Sequence, residues 1–424
     1  MRRRDAYRRF RFWFACCLVL AVGVPVGLPA SAAGGANPVL VWDRYAQEAI
    51  WDVAGQQPNV QGRSFAMVNG AVYDAVNAIA GRPYQPYLSA PRTRGGESVE
   101  AAVATAAHRV LRSLFPDQRD RLRVQYEQAL AGIADGWAKR GGIAVGERTS
   151  AAMIAARRGD GAFGDRQWQV GTEPGEWLPT PPTFPVEGAW IGHVRPFAIP
   201  DASLFRTPGP PALDSRAYAR DVEEVREVGS AASTTRTADQ TEAALWWHDR
   251  RSTTWEVRRQ LATTARLDLL QTARMLAMVD ITGADAQIAC SREKERWNFW
   301  RPFSAIQLAG TDGNPATEPD PEWTPLLVTP SFPEYPSGHT CGTGGRMSIL
   351  AFFFGRDDVP FSSYSVDAGA RRHFTGFSDA LAEVIEARIW GGVHFRTADV
   401  DGADLGRRVA EHISRHHFRP NPHR

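Results

Sequence analysis

The sequence predicts an all-α protein, a multi-helix bundle interrupted by long Pro/Gly-rich loops. Three observations predict it. Apolar residues recur at three- and four-residue spacings over long windows, alternating strand patterns closed by hairpin turns are scarce, and the prolines gather in two connections. With 424 residues and 43% hydrophobic content, the chain can bury a large core.

The N-terminus comes first. Arg2, Arg3, Arg4, Arg8, Arg9 and Arg11 precede an apolar run, FWFACCLVLAVGV, and then PASAA, where Ala30 and Ala32 form an A-x-A site. This is the layout of a secretory signal peptide over residues 1–32, cut after Ala32. The run falls short of the roughly 20 apolar residues that span a bilayer, so the mature form is expected to be secreted or periplasmic and without a membrane anchor. Removing residues 1–32 takes away six arginines and one aspartate and turns the formal charge of +2 into −3. No basic stripe interleaved with aromatics remains to argue for nucleic acid.

Residues 33–250 read as an N-terminal helical region and 251–424 as a C-terminal one, continuous with it as one domain. In the first, RSFAMVNGAVYDAVNAIAG (63–81) places Phe65, Val68, Val72, Val76 and Ile79 on one helical face, and SVEAAVATAAHRVLRSLF (98–115) repeats the habit. In the second, residues 252–300 read as two helices broken near Thr282-Gly283. The connections at 174–212 and 310–336 are too rich in proline for helix or central strand, and loops of this length are usually functional or disordered. The C-terminal RHHFRPNPHR reads as a frayed tail.

Three separated pieces carry the chemistry. KERWNFWRP places Lys294 and Arg301 seven residues apart, which on a continuous helix puts both cations on one face. FPEYPSGHTCGTGG places Ser337, Gly338 and His339 at a proline turn feeding a helix, where unpaired backbone N–H groups can hold an anion; taken alone, it is also an ordinary helix cap. ARIWGGVHFR places Arg388 ahead of His394 across Gly391 and Gly392, which suggest a close backbone approach or a break. Together they offer three cations, neutral donors from Ser337 and the Gly338 amide, and two imidazoles. A tetrahedral oxyanion such as phosphate or vanadate needs such a set.

The pattern Lys-x6-Arg-Pro, Pro-Ser-Gly-His, Arg-x5-His resembles the superfamily that unites vanadium-dependent haloperoxidases with type 2 phosphatidic acid phosphatases and bacterial class A acid phosphatases. The resemblance covers about residues 280–405. It implies a helical bundle of the haloperoxidase/acid phosphatase type, with Lys294, Arg301, Ser337, Gly338 and Arg388 holding the oxyanion. In a haloperoxidase, His394 would be the axial ligand of a vanadate cofactor and His339 the acid–base partner, with hydrogen peroxide and halide as substrates. In a phosphatase, needing no metal cofactor, His394 would attack a phosphate ester and His339 protonate the leaving oxygen. An inactive phosphate- or vanadate-binding relative is a third reading.

The chain departs from the family at Ala387, where Ser is frequent, and at Ala398, where an Asp is. Asp399 or Asp401 is the candidate to orient His394 instead. Without such a carboxylate, His394 would lose more as a nucleophile than as a ligand, which favours vanadate; so do the chain's length and its lack of membrane spans. Phe332 reads as packing, DVDGAD (399–404) as a turn rather than a calcium loop, and His412 with His416 as a helical pair without a zinc motif. The resemblance leaves open a homo-oligomer, the halide, and a Cys290–Cys341 disulfide, since both cysteines flank motifs that must converge.

Overall fold

The computed structural model describes residues 36–181, 188–249 and 255–422, so the expected leader, with Ala30, Ala32 and the first two cysteines, lies outside them. Thirteen α-helices, a π-helical turn at Glu48–Val53, short 3-10 turns and one short hairpin make up the regular structure among the described residues. Two long helices form the centre. α2 (Pro58–Ile79) starts at a proline in its first turn, and α9 (Leu269–Trp297) starts at a capping box in which Asp268 and Gln271 satisfy each other's backbone N–H. Both are buried almost all round, which only surrounding helices can provide.

On the N-terminal side, α1 (Pro38–Gln47), α3 (Val99–Leu114) and α5 (Trp137–Ala156) pack around α2, and α4 (Arg119–Ala131) packs on α3. The predicted helix at 98–115 is thus present, opened by Ser98, whose hydroxyl accepts from the Ala101 amide. On the C-terminal side, α9 contacts α11 (Gly338–Phe354) and α13 (Arg396–His416), with α12 (Phe377–Trp390) across from them. The largest apolar cluster runs without interruption from Val39 to Phe418. α6 (Arg216–Val228), α7 (Ala238–His248) and the hairpin of β1 (Phe361–Ser365) with β2 (Ala370–Phe374) flank α12.

Four expectations are corrected. α9 does not break at Thr282-Gly283; the break lies between α8 (Val257–Thr264) and Asp268. Gly283 is small because a Cβ there would press on the Arg346 guanidinium, so a close approach, not a kink, demands it. DVDGAD is part of α13 rather than a turn. The C-terminal stretch is held down as far as Asn421: Phe418 is buried against Tyr73, the Gln85 amide donates to the Arg419 carbonyl and the Asn421 amide to that of Pro83. The fourth concerns Lys294 and Arg301, which do not share a helix. α9 ends at Asn298 in the left-handed conformation (φ 44°), and Arg301 is the N-cap of α10 (Pro302–Gln307).

The proline-rich connections are fastened to the central helices by buried carboxylates. Asp285 of α9 accepts from the amides of Phe197, Ala198 and Ile199, and Glu293 accepts from Thr207 and Arg206. The second connection returns through Glu334, whose amide donates to the Phe299 carbonyl.

Candidate active site

The four elements that meet at one end of the C-terminal bundle each deliver part of a pocket. The last turn of α9 brings Lys294; the turn after Asn298 brings Arg301; the start of α11 brings Ser337, Gly338 and His339; the end of α12 brings Arg388. His394 follows the Gly391-Gly392 break. Gly392 sits at φ 73°, and a Cβ there would collide with the Gly229 carbonyl and Pro325, so both the break and the close approach are present. Lys294, Gly338, His339, Arg388 and His394 line one cavity of about 620 Å³. Arg301 and Ser337 are fully buried just behind that lining.

Ser337 stands in the N-cap position of α11, yet its hydroxyl makes no capping bond. The low bulk that follows has a packing cause. A Cβ on Gly344 would meet the Ala403 backbone, and Gly402 and Gly406 of α13 bear directly on Thr340 and the Cys341 carbonyl. The Ser337 amide also donates to the Ala398 carbonyl at 3.0 Å. Gly338 differs from these. A Cβ there would meet nothing nearer than Gln287 Oε1 at 3.6 Å, so its bareness serves the cavity and leaves its N–H open to close approach.

The donors are incompletely used. Lys294 Nζ donates to the Pro333 and Glu334 carbonyls, both at 2.7 Å. Arg301 donates to the Phe332 and Val393 carbonyls, leaving Nη2 without an acceptor. Arg388 Nε and Nη1 and Ser337 Oγ have none either. Burial depresses all three cations, with the like charge of Arg301 adding to it at Lys294 and that of Arg388 at Arg301: Lys294 falls to about 8, Arg301 to about 9 and Arg388 to about 10. Phe332 is more than filler, because its ring lies 5.2 Å from Lys294 Nζ and 4.8 Å from Arg301 Cζ, a cation–π floor.

Glu334 is the residue the sequence reading missed. Its Oε1 lies 2.9 Å from His394 Nδ1 and accepts from the Phe395 amide at 3.0 Å. Neither expected aspartate does this. Asp401 accepts from the Tyr335 hydroxyl at 2.6 Å, and Asp399 is buried beside Arg388 and Ser337 with no bond to His394. On its other side, His394 Nε2 faces Arg301 Nη1 at 3.1 Å. A carboxylate at one nitrogen and a guanidinium at the other require the proton on Nδ1 and the lone pair on Nε2. Burial, then Arg301, Lys294 and Arg388, hold the ring well below its usual pKa and therefore neutral. Burial raises Glu334 to about 7. The signal was in the motif: an acid three residues before Ser337, enclosed by Phe, Pro and Tyr.

Cys290 and Cys341 are both buried and are free thiols here, not a disulfide. His412 and His416 stack with centroids 4.3 Å apart, and no cluster of three or more metal-ligating side chains occurs among the described residues.

The arrangement can receive an oxyanion. Unused N–H and O–H groups from Arg301, Ser337 and Arg388 converge with the Gly338 amide beside a neutral imidazole, and this donor set fits vanadate or phosphate alike.

Comparison with known proteins agrees with the pattern. Residues 274–421 match the family model of the VCPO second helical-bundle domain. The vanadium chloroperoxidase of Curvularia inaequalis is 36% identical over 104 residues, which are 21% of this chain and 16% of that protein. A bacterial vanadium-dependent iodoperoxidase shares the fold with a TM-score of 0.78 at 23% identity, over 92% of this chain and 99% of the other. A holo-type bacterial vanadium-dependent chloroperoxidase does so with a TM-score of 0.67 at 20% identity, over 86% and 96%.

Proposed function

We propose that this chain, whose residues 274–421 belong to the VCPO second helical-bundle family and whose fold is that of the bacterial vanadium-dependent haloperoxidases, oxidises halide with hydrogen peroxide to hypohalous acid. One observation carries the reading: in one buried site, donor atoms on Arg301 and Arg388 are left without a hydrogen bond, and the same Arg301 guanidinium lies 3.1 Å from His394 Nε2. A buried donor left unsatisfied costs about 1–3 kcal/mol, so the set is built for an anion that is itself buried.

Bound vanadate would supply Lewis acidity toward peroxide at a constant oxidation state. The chain's residues do the rest. Lys294, Arg301, Ser337, the Gly338 amide and Arg388 would hold the oxygens and offset their charge without reorganising. His394 would help to hold the group through Nε2, its Nδ1–H fixed by Glu334. His339, on the cavity lining, would take and return the peroxide proton. The balance is halide, hydrogen peroxide and a proton giving hypohalous acid and water.

The Glu334 carboxylate removes one ground for preferring vanadate, since a well-oriented His394 would also serve as a nucleophile toward phosphorus. The fold likeness and the activities of the similar proteins support the haloperoxidase. A paired assay separates the readings. Protein reconstituted with vanadate should halogenate a phenolic indicator in the presence of peroxide and chloride, bromide or iodide. A phosphatase would instead release phosphate from a chromogenic ester and be inhibited by vanadate; silence with all three halides sinks the first reading. The signal-like N-terminal sequence would direct the chain to an extracytoplasmic site of action, and no helix among the described residues is long and apolar enough to cross a membrane. N-terminal sequencing of the secreted form should begin at Ala33.

A further inference from the structure

We propose that Cys290 and Cys341 form a modification site, closing on oxidation into a disulfide that staples α9 to α11 directly behind the oxyanion cage. The free thiols of the structure are the reduced member of that couple. Such a bond is independent of whether the cage serves halide oxidation or phosphate release.

The first observation is register. α9 and α11 pack in opposite directions, and contacts on either side of the cysteines fix which residues face each other. A Cβ on Gly345 would lie 3.3 Å from the Ala286 Cβ, and one on Gly338 would lie 3.9 Å from Lys294 Cε. Cys290 stands one turn from Ala286 and one turn from Lys294; Cys341 stands one turn from Gly345 and one turn from Gly338. The two cysteines occupy facing positions. The spacing also suits a bridge, since a disulfide needs Cβ atoms about 3.5–4.5 Å apart and the neighbouring facing pair, 345 and 286, is within that reach.

The second observation is contact. Both side chains are fully buried. Cys290 Sγ donates to the Pro336 carbonyl at 3.6 Å, and burial, then a hydrogen bond with Cys290, push the Cys341 thiol well above its usual range. The third is economy. Outside residues 1–32 the chain has two cysteines, about fifty positions apart, and the fold brings them to one spot. Packing alone does not call for sulfur, because one turn away the same interface is filled by Ala286 and Gly345.

Placement gives the bond its role. It would couple the helix that brings Lys294 to the cage with the helix that brings Ser337 and Gly338, one turn from each. The oxidant is a small-molecule disulfide such as oxidised glutathione. One cysteine thiolate attacks a sulfur of that disulfide and expels the first thiolate; the other cysteine attacks the mixed disulfide and expels the second. Two electrons pass to glutathione, and the two cysteine protons end on its two thiols. A thiol held protonated inside the folded protein is a poor nucleophile, so the bond forms as the chain folds, before the pair is enclosed, and enclosure then shields it from reductant.

The test uses the full-length chain made by cell-free synthesis in two portions, one in an oxidising glutathione buffer and one in dithiothreitol. Each is alkylated in denaturant, digested and mass-mapped. The glutathione portion should yield a linked pair of peptides bearing Cys290 and Cys341, the dithiothreitol portion both residues alkylated. Before denaturation, the oxidised portion should melt about 5 °C higher, the gain expected from closing a loop of about fifty residues in a protein of this size. Cys290→Ser and, separately, Cys341→Ser should abolish that difference; mapping of the unmutated chain keeps the test decisive if either variant fails to fold. Two alkylated cysteines in the glutathione portion, or pairing of either one with Cys16 or Cys17, overturns the disulfide. A linked pair with no rise in melting temperature overturns the staple.

Discussion

At the scale of single residues, Glu334 is the keystone of the pocket. Its carboxylate bonds His394 Nδ1 and the Phe395 amide, and its carbonyl accepts from Lys294, so one side chain and its own backbone tie together three segments of the site. Glu334→Ala should lower vanadate affinity about 10- to 100-fold, the usual loss when a ligand's orienting partner is removed. Equilibrium dialysis or vanadium-51 NMR would measure it. Glu334→Gln, which can still accept through Oε1, should recover most of the affinity; equal losses for both would assign the effect to charge rather than orientation. The charged and donor residues of the site were legible because family motifs mark them by spacing. Glu334 was not read because spacing says nothing about contacts across sixty residues, and its carboxylate was assigned no task in the motif. Lys294 and Arg301 were both identified, but their shared helix face was wrong, since a single left-handed residue at Asn298 redirects the chain between them.

Elements add a constraint of shape. α11 and α13 approach so closely that Gly402 and Gly406 have no room for a methyl group, and the same contact holds Ser337 and Gly338 against the stretch that bears His394. Gly406→Ala should therefore destabilise the protein by about 1–3 kcal/mol through overpacking against the Cys341 carbonyl. Because the strain falls one turn from the anion site, thermal unfolding and vanadate affinity should decline together. A second prediction belongs to α3. His108 is buried, stacks on Tyr126 at 4.3 Å, and is lowered by burial, and then by Arg112 and Arg109, to about 4. The unfolded chain takes up this proton below about pH 6.5 and the native state does not until near 4, so His108 costs stability as the pH falls through that window. His108→Phe keeps the stack and should flatten that part of the melting temperature's decline. Helix periodicity revealed α2 and α3, but glycine has two meanings, and at Gly283 the packing meaning prevailed over the breaking one.

Across the whole molecule, the core is continuous from the first described helix to the last turn of the tail. The tail reads as frayed in sequence because three arginines, three histidines, two prolines and an asparagine carry no periodic signal. What secures it is non-local: Phe418 between Tyr73 and Tyr87, and the Arg274 guanidinium donating to the Phe418 carbonyl at 2.9 Å. Removing residues 417–424 should cost about 3–5 kcal/mol, as for loss of a buried phenyl ring, and would be visible in denaturant midpoint at unchanged slope. The same long-range logic divides labour along the polypeptide. Each group assigned to gripping the oxyanion lies between Lys294 and His394, whereas Trp51 and Trp168 arrive from far upstream. Val328, Phe332 and Val366 of the cavity wall share the stretch that bears the cage, so the wall is built jointly by near and distant segments, and a substitution far upstream can reshape the cavity while the groups that grip the oxyanion stay in place.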